Sequence, residues 1–74
     1  MEYRLHYRTR YEGWFADQDT DIYLAEGNAD ALEMAYQRLE RMKERAPAHV
    51  KGYEIVRIDH IEQREISKCI YSNG

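Results

Sequence analysis

Residues 3–11 alternate without a break: Tyr3, Leu5, Tyr7, Thr9 and Tyr11 hold the odd positions, and Arg4, His6, Arg8 and Arg10 the even ones. A period of two dictates a β-strand with one covered face, because successive side chains on a strand point to opposite sides. The Tyr/Leu side is expected against a core, leaving the Arg/His side toward solvent or a ligand. The rest of the chain must therefore supply partner strands and a layer to cover the apolar face.

Gly13 and the polar run Asp17-Gln18-Asp19-Thr20-Asp21 mark a connection, after which Ile22–Glu26 reads as a second strand. Trp14 and Phe15 fit either a loop or an extension of the first strand past a bulge at Gly13. A helix is expected from Ala29 to Arg45, started by Asn28 as N-cap or by Asp30 with Glu33 as a capping box. Its apolar stripe is Leu32, Ala35, Tyr36, Leu39, Met42 and Ala46, and Pro47 closes it. On its outer side Glu33, Glu40 and Glu44 form one flank and Arg38, Arg41 and Arg45, with an exposed Met34, the other. Tyr53–Ile61 is a third strand and the more polar Glu65–Tyr71 a fourth, with Ser72-Asn73-Gly74 expected to fray. The order ββαβ(β) predicts a single α+β domain over residues 1–74. It is a two-layer sandwich of an antiparallel or mixed sheet of three to four strands with one helix on one face. The passage from Ile22-Tyr23-Leu24-Ala25-Glu26 into Asn28-Ala29-Asp30-Ala31-Leu32-Glu33-Met34-Ala35 resembles that of many short phage and plasmid accessory proteins.

A 74-residue core supplies about 3–5 kcal/mol of net stability, so further support is expected. Cys69 is the sole cysteine, which excludes an internal disulfide, and self-association is the remaining common device. No long apolar stretch follows a basic start, so no membrane role is expected and the chain reads as cytoplasmic. A net charge of −3 argues against general nucleic-acid affinity.

That average conceals a segregation. From residue 11 to residue 37 there is no Lys or Arg, while Glu12, Asp17, Asp19, Asp21, Glu26, Asp30 and Glu33 all fall there. Glu26, Asp30 and Glu33 sit at the start of the helix, where the helix dipole favours carboxylates. Glu12, Asp17, Asp19 and Asp21 around Trp14 and Phe15 remain, and their pattern suits a contact with a basic protein surface, with the two rings as anchors. The leading expectation is thus a non-enzymatic binding protein, an inhibitor or adaptor, acting through this acidic, aromatic segment.

The second expectation is a homo-oligomer that holds an anionic small ligand, such as a nucleotide, on the open sheet face. Arg4, Arg8 and Arg10 lie there, with Tyr23, Arg57 and Tyr53 beside them if Val56 and Ile58 face the helix; guanidinium forks bind phosphate and rings stack on bases. The plainer alternative has these arginines paired across strands with Glu54, Asp59 or Glu62. Asp17-x-Asp19-x-Asp21 begins like a calcium loop, but Ile22 stands where glycine is needed and Asn28 where a bidentate glutamate is needed, so no metal is expected. His6, His49, His60 and Cys69 form no recognisable catalytic pattern, and neither a phosphate loop nor a nucleophile elbow is present. No catalysis and no cofactor are expected.

Overall fold

The computed structural model describes residues 1–73 and has an α+β fold, one helix packed on a five-stranded antiparallel sheet. In chain order the elements are β1 (Glu2–Tyr11), β2 (Trp14–Phe15), β3 (Asp19–Leu24), α1 (Asn28–Arg45), β4 (Gly52–Gln63) and β5 (Ile66–Ser72). The strand count exceeds the expectation because Trp14–Phe15 pairs as a short strand of its own. β1 lies at the centre: β4 and then β5 run along one side of it, and β2 and β3 share the other side end to end.

The odd residues of β1 do meet the helix. Tyr3, Leu5, Tyr23, Ala25, Ile55 and Ile58 pack with Ala31, Ala35 and Leu39 in one core. Two large rings, Tyr3 and Tyr23, occupy the space beneath the first turns of α1, and fully buried alanines opposite them let the helix come close. This moves the buried stripe from the expected line: Ala31 joins it, Met34 is partly buried rather than exposed, and Tyr36 is left outside.

Both expected helix starts are also corrected. Gly27 is the N-cap and no side chain caps the helix. Asn28 instead accepts a hydrogen bond from the Tyr3 hydroxyl at 2.9 Å, and Asp30 accepts one from the Glu26 backbone N–H at 3.0 Å. At the carboxyl end, where fraying is expected, Ser72 belongs to β5 and the Asn73 N–H donates to the Val56 carbonyl at 2.9 Å; Gly74 lies outside the described residues.

Two one-residue irregularities decide which side chains share a face. His6 pairs with Arg57 but Tyr7 pairs with Ile55, so Val56 is an extra residue in β4. Ile55 and Ile58 can then both face the helix, which places Tyr53 on the covered side, edge-on to Tyr7 at 6.1 Å, and not on the open face. On the other side of β1, Arg10 pairs with Phe15 and Tyr7 with Asp19, so Ala16–Gln18 carries one residue more than the stretch of β1 it spans. As a result Tyr23, and not Ile22, stands opposite Tyr3.

Candidate interaction surface

The edge formed by β2 and β3 begins at a tight turn. Gly13 has φ +76°, a left-handed conformation at the third turn position that glycine adopts at no steric cost. The turn sets Trp14 opposite Tyr11 and Phe15 opposite Arg10, so the two rings point to opposite sides of the sheet. Trp14 stacks on Tyr11 with ring centroids 4.4 Å apart, and Tyr11 stacks in turn with His49 of the loop after α1 at 5.9 Å. That loop is tied down by a Lys51 N–H to Arg10 carbonyl bond of 2.8 Å. On the other side the Arg8 guanidinium lies 3.8 Å from the Phe15 ring centroid, a cation–π contact. Trp14 remains 57% exposed and Phe15 41%.

The four carboxylates separate. Glu12, in the turn, is nearly all exposed and 3.6 Å from Lys51, and Asp17 is exposed in the irregular stretch. Asp19 and Asp21 lie in β3 on the helix side, and Asp21 accepts a hydrogen bond from Arg38 Nε at 2.9 Å. Both aspartates stand near Tyr7, whose hydroxyl is pushed up, first by burial and then by these two charges. Glu12 and Asp17 thus stay beside the rings, while a strand starting at Asp19 carries Asp19, still exposed, and Asp21 to the helix side of the edge.

The arginine face is also largely engaged within the molecule. Arg8 donates to Glu54 at 3.0 Å and Arg10 to the Lys51 carbonyl at 3.2 Å. Arg57 grips both oxygens of Asp59 at 2.8 and 2.9 Å, and the His6 ring lies 3.0 Å from the same carboxylate. The Asp59 hydrogen bond, and then its charge, push Arg57 above its ordinary pKa. Asp59 is only 1% exposed although no helix covers this face, because it is roofed by its own partners. Arg4 sits between Ile22 and Asp59 in register. Tyr23, expected on this face, is in the core: its hydroxyl donates to the Ala31 carbonyl at 2.6 Å, and burial pushes its pKa up to about 12 against the lowering effect of Arg38.

Sequence reasoning missed Ile22 and Leu24. Both point to the open face of β3 and are 52% and 70% exposed. The strand's own alternation made either parity possible, and only the extra residue before Asp19 decides it.

Among the described residues no group of His, Cys, Asp and Glu is placed to hold a metal ion, and no helix is long and apolar enough to cross a membrane. Comparisons with protein-family models, with curated proteins and with solved structures give no match.

Proposed function

We propose that this chain is a non-enzymatic protein-binding module, an inhibitor or adaptor, that engages its partner through the β1–β2 tip. One observation carries the reading: Trp14 and Phe15 are exposed yet each is braced by a neighbour, Tyr11 for one and Arg8 for the other. Rings held in place before contact lose little conformational freedom on binding, which is what makes aromatic anchors effective. Glu12 and Asp17 at the margin favour a basic surface on the partner and act mainly on the rate of encounter. Alanine at Trp14 and Phe15 together is expected to weaken capture by at least about 30-fold, in line with ~2 kcal/mol or more for an anchor residue. Charge reversal at Glu12 and Asp17 is expected to slow association and lower its salt dependence. Unchanged partner capture by the double alanine variant in a pull-down removes the proposal.

A second reading, an anionic ligand such as a nucleotide on Arg4, Arg8 and Arg10, draws on one observation. The Arg8 Nε has no acceptor among the described residues, and an anion that drew this guanidinium off the Phe15 ring would satisfy it. A nucleotide panel that leaves the melting temperature unmoved dismisses this alternative.

A further inference from the structure

Met1 and Ala25 exchange both backbone hydrogen bonds, Met1 N to the Ala25 carbonyl at 2.8 Å and Ala25 N to the Met1 carbonyl at 2.9 Å. The β1–β3 register then runs without a shift from Glu2–Leu24 to Tyr7–Asp19. In an antiparallel ladder such mutually bonded pairs alternate with unbonded ones. Asp19, Asp21 and Tyr23 therefore bond inward to β1, while Thr20, Ile22 and Leu24 aim their N–H and C=O groups outward. No strand occupies that side of β3 among the described residues.

Such an edge invites another strand, and proteins ordinarily guard it with charged side chains, Lys above all, with Pro or with a bulge; the two charges of β3, Asp19 and Asp21, lie on its helix side and leave the open side bare. The opposite edge, β5, has Lys68 and an irregular register with β4. β3 has neither Lys nor Pro, and its outward residues put Ile22 and Leu24, both exposed, on one face.

We infer that β3 pairs antiparallel with β3 of a second copy about a two-fold axis at Ile22, joining the two sheets into one. Self-complementarity selects the partner. About this axis Ile22 meets Ile22, Thr20 meets Leu24 of the second copy, and all three outward residues find backbone partners. Asp21 falls opposite Tyr23 of the second copy, and that ring lies under Arg38 of its own chain, whose guanidinium is 5.3 Å from the centroid. Each Asp21 is thus placed beside the guanidinium of both chains, its own through the 2.9 Å bond. Asp19 falls opposite Ala25. No carboxylate opposes another, whereas moving the axis by one residue to Asp21 sets Asp21 against itself. The irregular stretch Ala16–Gln18 ends the usable edge, so the interface closes on a dimer and leaves the Trp14–Phe15 tip free. The inference is independent of what that tip binds.

The test is mass in solution, by sedimentation over a wide concentration range. The wild-type chain is expected at twice its 8.9 kDa. Ile22→Lys and Leu24→Lys are expected to be monomers with unchanged far-ultraviolet circular dichroism, while Ile66→Lys, on the other edge, stays dimeric. A cross-link fixes the register: with Cys69→Ser in place, Ile22→Cys is expected to form a disulfide-linked dimer under oxidised glutathione. The mutually bonded pair sits about 5.5 Å apart, within disulfide reach. Thr20→Cys, roughly 13 Å from its own copy at ~3.3 Å per strand residue, is expected to stay uncoupled. A wild-type monomer at millimolar concentration, a dimer that survives Ile22→Lys, or preferential coupling through Thr20→Cys overturns the inference.

Discussion

Tyr23 shows how one side chain can fasten a layer and set a response to pH. Its ring fills the space under α1 and its hydroxyl donates at 2.6 Å to the Ala31 carbonyl, a buried bond between the sheet and the helix. The raised pKa, about 12, means that the folded chain keeps this proton after the unfolded chain, at the ordinary value near 10, has released it. The associated stability is fully present below about pH 10 and is lost as pH rises through about 12, since the unfolded state binds fewer protons over that interval. Tyr7, also raised, acts with the same sign. Urea titrations at a series of alkaline pH values are expected to show this decline. In Tyr23→Phe the decline becomes shallower, and the loss of the hydrogen bond costs about 1 kcal/mol at neutral pH.

Among the elements, the β1–β2 turn has the sharpest requirement. Nothing lies within 4 Å of a Cβ placed on Gly13, so substitution there meets no clash and its cost is purely that of a positive φ. Gly13→Ala is expected to lower stability by about 1–2 kcal/mol and to loosen the Trp14–Tyr11 stack, measured by thermal unfolding and by tryptophan fluorescence. The sequence marks Gly13 as a break but leaves Trp14 and Phe15 open between a loop and a strand extension, whereas β1, α1, β4 and β5 are legible from residue patterns that run over most of their length. The faces of β3 and β4 are not. A single extra residue, Val56 in one case and one of Ala16–Gln18 in the other, leaves no mark in composition yet reverses the parity of the strand residues beyond it. That is why alternation alone assigns Tyr23 and Tyr53 to the open face and gives no sign of the exposed Ile22 and Leu24. The helix stripe differs from the expected line for a related reason: the size of Tyr3 and Tyr23, opposite each other on neighbouring strands, determines which helix residues must be small.

For the molecule as a whole, nine buried hydrophobic residues, three of them alanines, make a small core among the described residues, and association offers a way to reinforce it. If β3 is shared between two copies, folding and pairing are linked, and the melting temperature rises with protein concentration. The expected outcome is an upward shift between micromolar and millimolar wild-type samples and none for Ile22→Lys, checked by differential scanning calorimetry. The irregular stretch at Ala16–Gln18 has a bearing on charge as well. Had β3 continued the register of β2, Asp21 would stand opposite Arg4 and Asp19 opposite His6, and acid and base would cancel along a single row. With one residue added, the carboxylates are delivered to the helix side and the arginine row keeps its own neighbours. Asp19 and Asp21 are thus kept off the arginine face, whose acidic partners are Glu54 and Asp59 instead, an assignment made by chain length before Ile22 and independent of which residues occupy that stretch.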